Sequence, residues 1–217
     1  MNRRFIIMVL IPLTFTITLT IAIKHQAQWL LNIDNLTLQY IITKRTEVLT
    51  KLFSIITILG NIEGIVPLVS IAFIILKIIW SKQIGWIYLL STFSSSLLVN
   101  PFIKVLIQRD RPHIDYRLVD ISGFSFPSAH SMNAVVTIGL LFWLISITMD
   151  MRYKRIVCLF ISSLIILLIG FSRIYLAVHY LSDVLAGFSY GLLINAIWIY
   201  YFKRHPNIFD KERTSQV

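Results

Sequence analysis

The chain has 217 residues, of which 57% are hydrophobic and only 14% charged, with a mean hydropathy of +0.77. A soluble domain carries about 25% charged residues, so this composition excludes one, and lipid is the expected solvent. The net charge of +10, from 20 Lys+Arg against 10 Asp+Glu, fits the positive-inside bias of a membrane protein and attraction to an anionic partner. It does not point to nucleic acid, because no basic helix or interleaved aromatic surface stands outside the apolar runs.

In chain order, Asn2-Arg3-Arg4 precedes an apolar run over Phe5–Ile23. The run is long, and Lys24, His25 and Gln26 follow it where a signal peptide would have a small-residue cleavage site, so a retained helix is expected. Residues 24–61 place Leu38, Ile41, Ile42, Leu49, Leu52, Phe53, Ile56 and Leu59 at helical spacing, with Lys44, Arg45, Glu47 and Lys51 between them. This predicts an amphipathic helix in the outer membrane interface, capped by Asp34 or Asn35, serving as a link or as a lid. Gly60 and Gly64 mark a break. Further spans are expected at Ile62–Trp80, Ile84–Ile107, His130–Met149, Ile156–Tyr175 and Val184–Phe202. Each is near the ~20 residues that cross a bilayer, and each must be helical because lipid satisfies no backbone group. Cys158, the sole cysteine, lies in an apolar run and is expected to be an inert packed thiol. The tail from His205 to Val217 is polar and expected to fray. The fold class is therefore all-α: a polytopic membrane protein with six transmembrane helices plus an amphipathic interfacial segment, as a single domain over 1–217.

Six spans put both termini on one side. Lys and Arg number 11 on that side and 9 on the other. Setting aside Lys104, Arg111 and Arg173, which chemistry claims below, leaves 11 against 6. Cytoplasmic termini follow, with the other loops facing the extracytoplasmic side.

Three polar clusters fall on that outer side. Lys104 precedes Arg111-Pro112, Pro127-Ser128-Ala129-His130 opens the fourth span, and Ser172-Arg173 precedes His179 and Asp183 at the turn between spans five and six. Lys104, Arg111 and Arg173 bring three cations to one face, an arrangement that an anion such as phosphate stabilises. Pro112 turns the chain at Arg111. Pro127 favours a helix start just after it, which would aim the amides of Ser128–Ser131 at an anion. His179 and Asp183 are four apart, so on a helix the carboxylate would orient the imidazole and leave its other nitrogen free to attack phosphorus. His130 is then available to protonate the leaving oxygen. His130, His179 and Asp183 are also plausible metal ligands, but the three cations beside them would repel a divalent ion, so no metal and no cofactor is expected. Taken singly, Arg109, Arg117 and His113 read as interfacial side chains snorkelling to water.

With these residues in view, the sequence resembles the type 2 phosphatidic acid phosphatase superfamily of membrane phosphatases. Ten positions match its three signatures in order: Lys104, Arg111 and Pro112; Pro127, Ser128 and His130; Ser172, Arg173, His179 and Asp183. The resemblance implies His179 as nucleophile, Asp183 as its partner and His130 as general acid. Lys104, Arg111, Ser128, Arg173 and the amide of Ala129 would bind phosphate without a metal. Two departures stand out: Ala129 replaces the usual Gly, which would strain the loop if φ there is positive, and Leu181 stands where many relatives have Pro.

The resemblance implies a membrane lipid phosphate as substrate. The Ile- and Lys-rich, Ala- and Gly-poor composition fits a bacterium of low genomic GC. For that setting undecaprenyl pyrophosphate is expected ahead of phosphatidylglycerol phosphate, on fold-level analogy, with diacylglycerol pyrophosphate, phosphatidic acid or a broad range of lipid phosphates as further alternatives. The same side chains would serve a phosphotransferase. A transporter would carry charges deep in its spans, whereas here they lie at the edges. The sequence leaves the oligomeric state open.

Overall fold

Long runs of Ile, Leu, Val and Phe can satisfy their backbone in lipid only as helices. The computed structural model, which describes residues 3–209, is built of them accordingly. In chain order these are α1 (Arg3–Lys24), α2 (Gln28–Thr43), α3 (Glu47–Ile58), α4 (Ile62–Ile79), α5 (Lys82–Phe93), α6 (Asn100–Ile107), α7 (Ala129–Ala134), α8 (Leu140–Ile147), α9 (Arg152–Tyr175) and α10 (Leu181–Arg204). A π-helical stretch, Ser94–Val99, fuses α5 and α6 into one span, and another, Val135–Gly139, fuses α7 and α8. Six spans result: α1, α4, α5–α6, α7–α8, α9 and α10. They match the sequence reading to within a few residues. The third starts at Lys82 because Ser81 caps it, its Oγ accepting from the Ile84 amide at 3.4 Å.

The fourth span is the hub: 67% of its apolar window is buried, against 22–39% for the other five. Its π-helical stretch breaks the regular ladder, and neighbouring spans supply the missing donors. Asn195 Nδ2 donates to the Val135 carbonyl at 2.7 Å, and Tyr88 Oη to the Thr137 carbonyl at 3.1 Å. Close approach does the rest. A Cβ on Gly187 would sit 2.6 Å from the Ser128 carbonyl oxygen, and one on Gly191 2.7 Å from Val135 Cβ. This small-xxx-small pair lets α7 lie directly on the backbone of α10. On another face of α10 runs α1, where Ser189 Oγ donates to the Pro12 carbonyl at 3.0 Å. The outward faces carry Ile11, Ile78, Phe160 and Ile197, all exposed on the bundle surface. Such an exterior suits lipid and accounts for the composition.

Residues 24–61 depart from the single expected helix. They form two helices, broken at Lys44–Thr46, where Thr46 Oγ1 caps α3 by accepting from the Leu49 amide at 3.2 Å. Arg45 explains the break. Its Nε and Nη2 donate to the Tyr175 carbonyl at 3.1 and 2.7 Å, closing the C-terminus of α9, and its Nη1 donates to the Tyr116 carbonyl at 2.8 Å. Neither Asp34 nor Asn35 caps anything: both lie inside α2, which starts after Ala27, and Asp34 is buried with 1% of its surface exposed. The segment is thus strapped to the bundle, α2 against α10 and α3 along α9. The expected fraying from His205 is corrected as far as Phe209. Pro206–Phe209 form a 3-10 turn whose Ile208 carbonyl accepts from Ser81 Oγ at 2.7 Å and whose Phe209 ring meets Trp80 at 5.6 Å. Residues 210–217 lie outside the described part.

Candidate active site

The ends of α6 and α9, the starts of α7 and α10, and the loop 108–128 meet at one end of the bundle. They bring all the site residues expected from the sequence to that end. His179 lies in the turn between α9 and α10 and is 2% exposed. Its Nδ1 faces Asp183 Oδ2 at 3.5 Å, too long for a good hydrogen bond, and Nδ1 makes no other bond among the described residues. Such catalytic pairs often close only when substrate binds. The Nε2 atom meets Arg111 Nη1 at 3.2 Å. A guanidinium has no lone pair, so Nε2 must accept. That puts the ring proton on Nδ1, facing the carboxylate, and leaves the lone pair of Nε2 on the cationic side. Burial drives the pKa of His179 down to about 3, Asp183 opposes the shift, and Arg173 and Arg111 reinforce it. The imidazole is neutral at any physiological pH.

The cations are held by the loop. Arg111 Nε donates to the Gly123 carbonyl and Nη1 to the Val178 carbonyl, each at 2.8 Å. Burial lowers its pKa, yet an arginine stays charged. Lys104 Nζ donates to the Phe124 carbonyl. Arg173, 3% exposed, gives Nη1 to Thr57 Oγ1 at 2.6 Å, while its Nε has no partner among the described residues. A buried, unpartnered guanidinium N–H beside two other cations is a seat for an anion. Ser172, also in the expected set, turns its hydroxyl to its own helix, donating to the Ile169 carbonyl at 2.6 Å.

The helix start at Ala129 forms where Pro127 predicts it, with Ser128 as N-cap. The expected nest is narrower than four amides. Ser128 N already donates to the Asp183 carbonyl at 3.0 Å, and Ser131 N to Ser128 Oγ at 3.5 Å. The amides of Ala129 and His130 remain. Ser128 Oγ also accepts from Ser131 Oγ at 3.0 Å, which leaves its own hydrogen available. Ala129 is the first residue of a right-handed helix and is absent from the positive-φ positions, so its methyl group brings no strain. Leu181 likewise fits: it opens α10, whose first turn is closed by Asp183 Oδ2 accepting from the Tyr180 amide at 2.9 Å. His130 lies within electrostatic reach of Arg173, His179, Arg111 and Lys104. It is pressed by the turn before α4, where a Cβ on Gly60 would come 2.9 Å from its Cδ2. An apolar cleft of about 460 Å³ between α4 and the third span, lined by Ile65, Val66, Leu89 and Phe93, opens onto His130. Among the described residues no three His, Cys, Asp or Glu groups stand as a metal cage.

The reading of Arg109 as a snorkelling side chain is overturned. It is buried between two carboxylates, 2.6 Å from Asp34 Oδ2 and 2.6 Å from Asp183 Oδ1. Burial works against its charge, and Asp183 and Asp34 outweigh it, so its pKa is raised. Asp34 and Arg109 are 75 residues apart, and no local spacing links them. The signal available was the acid itself: with Leu30, Leu38 and Ile41 it forms the buried stripe of α2, where an ionisable side chain requires a partner.

Residues 84–206 match the profile of the PAP2 superfamily. The chain is 36% identical over 149 residues to phosphatidylglycerophosphatase B of Bacillus subtilis (strain 168), covering 67% of this chain and 71% of that one. It is 30% identical over 81 residues to lipid phosphate phosphatase delta of Arabidopsis thaliana, covering 35% of this chain and 19% of that one. Its fold superposes with a TM-score of 0.83 on the crystal structure of a transmembrane PAP2-type phosphatidylglycerolphosphate phosphatase from Bacillus subtilis, at 30% identity over 90% of this chain and 96% of that one. The chain belongs to the PAP2 superfamily and is a multi-pass membrane lipid phosphatase.

Proposed function

We propose that this phosphatase hydrolyses phosphatidylglycerol phosphate through a phosphohistidine on His179, at the extracytoplasmic face. The observation that carries the mechanism is the neutral His179 Nε2, whose lone pair faces Arg111 while Arg173 Nε lies buried without a partner among the described residues. The phosphate takes the place of the Arg111–Nε2 contact, and Arg111, Arg173, Lys104, Ser128 and the Ala129 amide bind its oxygens. Nε2 attacks phosphorus, the phosphorus–oxygen bond to the lipid breaks, and His130 gives the leaving oxygen its proton. Positive charge grows on the His179 ring as the new bond forms, and Asp183 stabilises it through Nδ1–H. Water then gives a proton to His130 and attacks phosphorus, breaking the phosphorus–nitrogen bond and releasing inorganic phosphate.

The similarity to Bacillus phosphatases named for phosphatidylglycerol phosphate supports that lipid as substrate. Undecaprenyl pyrophosphate, placed first from the sequence, rested on analogy and enters the test as competitor. The apolar cleft opening onto His130 suits either lipid. The orientation rests on charge: with Lys104, Arg111 and Arg173 assigned to phosphate and Arg109 neutralised by buried carboxylates, the site side keeps 5 other Lys and Arg against 11 on the side of the termini.

The test is phosphate release by detergent-purified protein in EDTA, on both lipids, for wild type and His179→Ala. Expected are activity that survives EDTA, loss of at least about 10³-fold in the variant, and preference for phosphatidylglycerol phosphate. Retained activity in His179→Ala sinks the mechanism, and faster turnover of undecaprenyl pyrophosphate reverses the substrate assignment.

A further inference from the structure

We propose that Asp34 and Arg109 are positioning residues for the hydrolysis: Arg109, clamped between Asp34 and Asp183, fixes the Asp183 carboxylate against His179 and sets the charge that the imidazole meets. The proposal rests on the phosphohistidine reading and extends its machinery to α2, a helix outside the three motifs.

The bonds divide the work atom by atom. Arg109 Nη1 donates to Asp183 Oδ1 at 2.6 Å and to Ser182 Oγ at 2.7 Å. Asp183 Oδ2 accepts from the Tyr180 amide at 2.9 Å and faces His179 Nδ1. With Oδ1 held by Arg109 and Oδ2 by a backbone amide, the carboxylate has one rotamer available, and that rotamer points at the nucleophile. Arg109 is held in turn. Its Nη2 donates to Asp34 Oδ2 at 2.6 Å, and its guanidinium lies 4.3 Å from the centre of the Tyr180 ring. Asp34 is fixed by Ser182, whose amide donates to Oδ1 at 2.9 Å and whose hydroxyl donates to Oδ2 at 2.5 Å. Every polar atom of the Asp34 and Asp183 carboxylates thus has a partner.

The charges matter as much as the bonds. Two carboxylates share one guanidinium, so the cluster keeps one net negative charge beside His179. Among the described residues, the other groups acting on the imidazole are Arg111 from the loop, Arg173 from α9 and His130 from α7, with Lys104 of α6 close to Asp183, Arg111 and Arg173, and those that are charged are cations. Without Asp34 the Arg109–Asp183 pair is neutral, and nothing offsets those cations as positive charge develops on the ring. Without Arg109 the two carboxylates are left uncompensated, and Asp183 is free to turn away. Both losses act on the attack and leave untouched the groups proposed to bind phosphate.

The experiment uses full-length protein in detergent with phosphatidylglycerol phosphate. Wild type is compared with Asp34→Asn, Arg109→Gln, Arg109→Lys, the Asp34→Asn/Arg109→Gln double variant and His179→Ala. Kinetics are read alongside ¹⁵N NMR of histidine ring nitrogens, with the His179 signal assigned by its absence in His179→Ala. Expected are losses in kcat of about 10- to 100-fold for Asp34→Asn and Arg109→Gln, the range for partners that orient a catalytic ligand, with KM within about twofold. The double variant should lose no more than the worse single one. His179 should stay protonated at Nδ1 in wild type and variants, since Arg111 still faces Nε2, and in Arg109→Gln its Nδ1 signal should shift as the carboxylate turns away. Arg109→Lys keeps the cation without the fork, so it should fold even where Arg109→Gln does not and still lower kcat. The proposal is overturned by unchanged kcat, by losses confined to KM, or by lowered kcat with the Nδ1 signal unmoved. Activity in His179→Ala would instead bring down the phosphohistidine reading itself.

Discussion

At the scale of single residues, the site is governed by one buried neutral imidazole among cations. A basic group with a depressed pKa stays neutral as pH falls until the shifted value is reached. His179, held down to about 3, therefore keeps its lone pair across the whole working range. Any acid limb of kcat/KM between pH 5 and 7 must come from elsewhere, and the substrate phosphate, with a second pKa of about 6, is the nearest source. Such a limb should move when the lipid phosphate is replaced by an analogue of lower pKa. A limb fixed near pH 6.5 for both substrates would mean that a histidine of ordinary pKa controls the attack. The ten motif positions were legible in the sequence because their types and spacing resemble a known pattern, and type and spacing are what a sequence displays. Arg109 and Asp34 were not, because a buried ion pair between distant segments leaves no spacing, only a charge on an apolar stripe.

At the scale of elements, position comes from backbone approach. The start of α7, with Ser128 and the open amides of Ala129 and His130, rests on α10 at Gly187. Substituting Gly187→Ala sets a methyl carbon 2.6 Å from the Ser128 carbonyl oxygen, backbone against backbone, so the helices must part. A stability loss of about 1–3 kcal/mol is expected, as for other overpacked cores, together with reduced activity. A thermal shift assay in detergent and phosphate release measure the two, and an unchanged melting temperature would contradict the close packing. The spans were legible from hydrophobic run length alone. The two π-helical stretches were not, since they depend on donors such as Asn195 and Tyr88 arriving from other spans. The break at Lys44–Thr46 was hidden for the same reason: Arg45 leaves the helical pattern to close the end of α9, a tertiary demand that periodicity does not record.

At the scale of the whole molecule, the site gathers at one end of the bundle while the α4–α5 and α8–α9 turns and the end of α10 lie at the other. Orientation is testable with Cys158→Ser as background, since Cys158 is the sole cysteine. A cysteine at exposed His113, on the site side, should react with a membrane-impermeant maleimide in intact cells. One at exposed Lys154 should react only after permeabilisation, and the reverse pattern would invert the protein in the bilayer. The far end carries the turn Pro206–Phe209, whose Phe209 rests on Trp80 and on Phe202, with ring centres 5.6 and 5.7 Å apart. That turn follows all six spans in the chain, so during synthesis the α4–α5 hairpin enters the membrane long before its final neighbour leaves the ribosome. Until then the apolar cluster around Trp80, Leu144 and Phe202 lacks its last aromatic member. A chain cut after Arg204 should accordingly insert, keep some catalysis and melt at a lower temperature than one cut after Phe209.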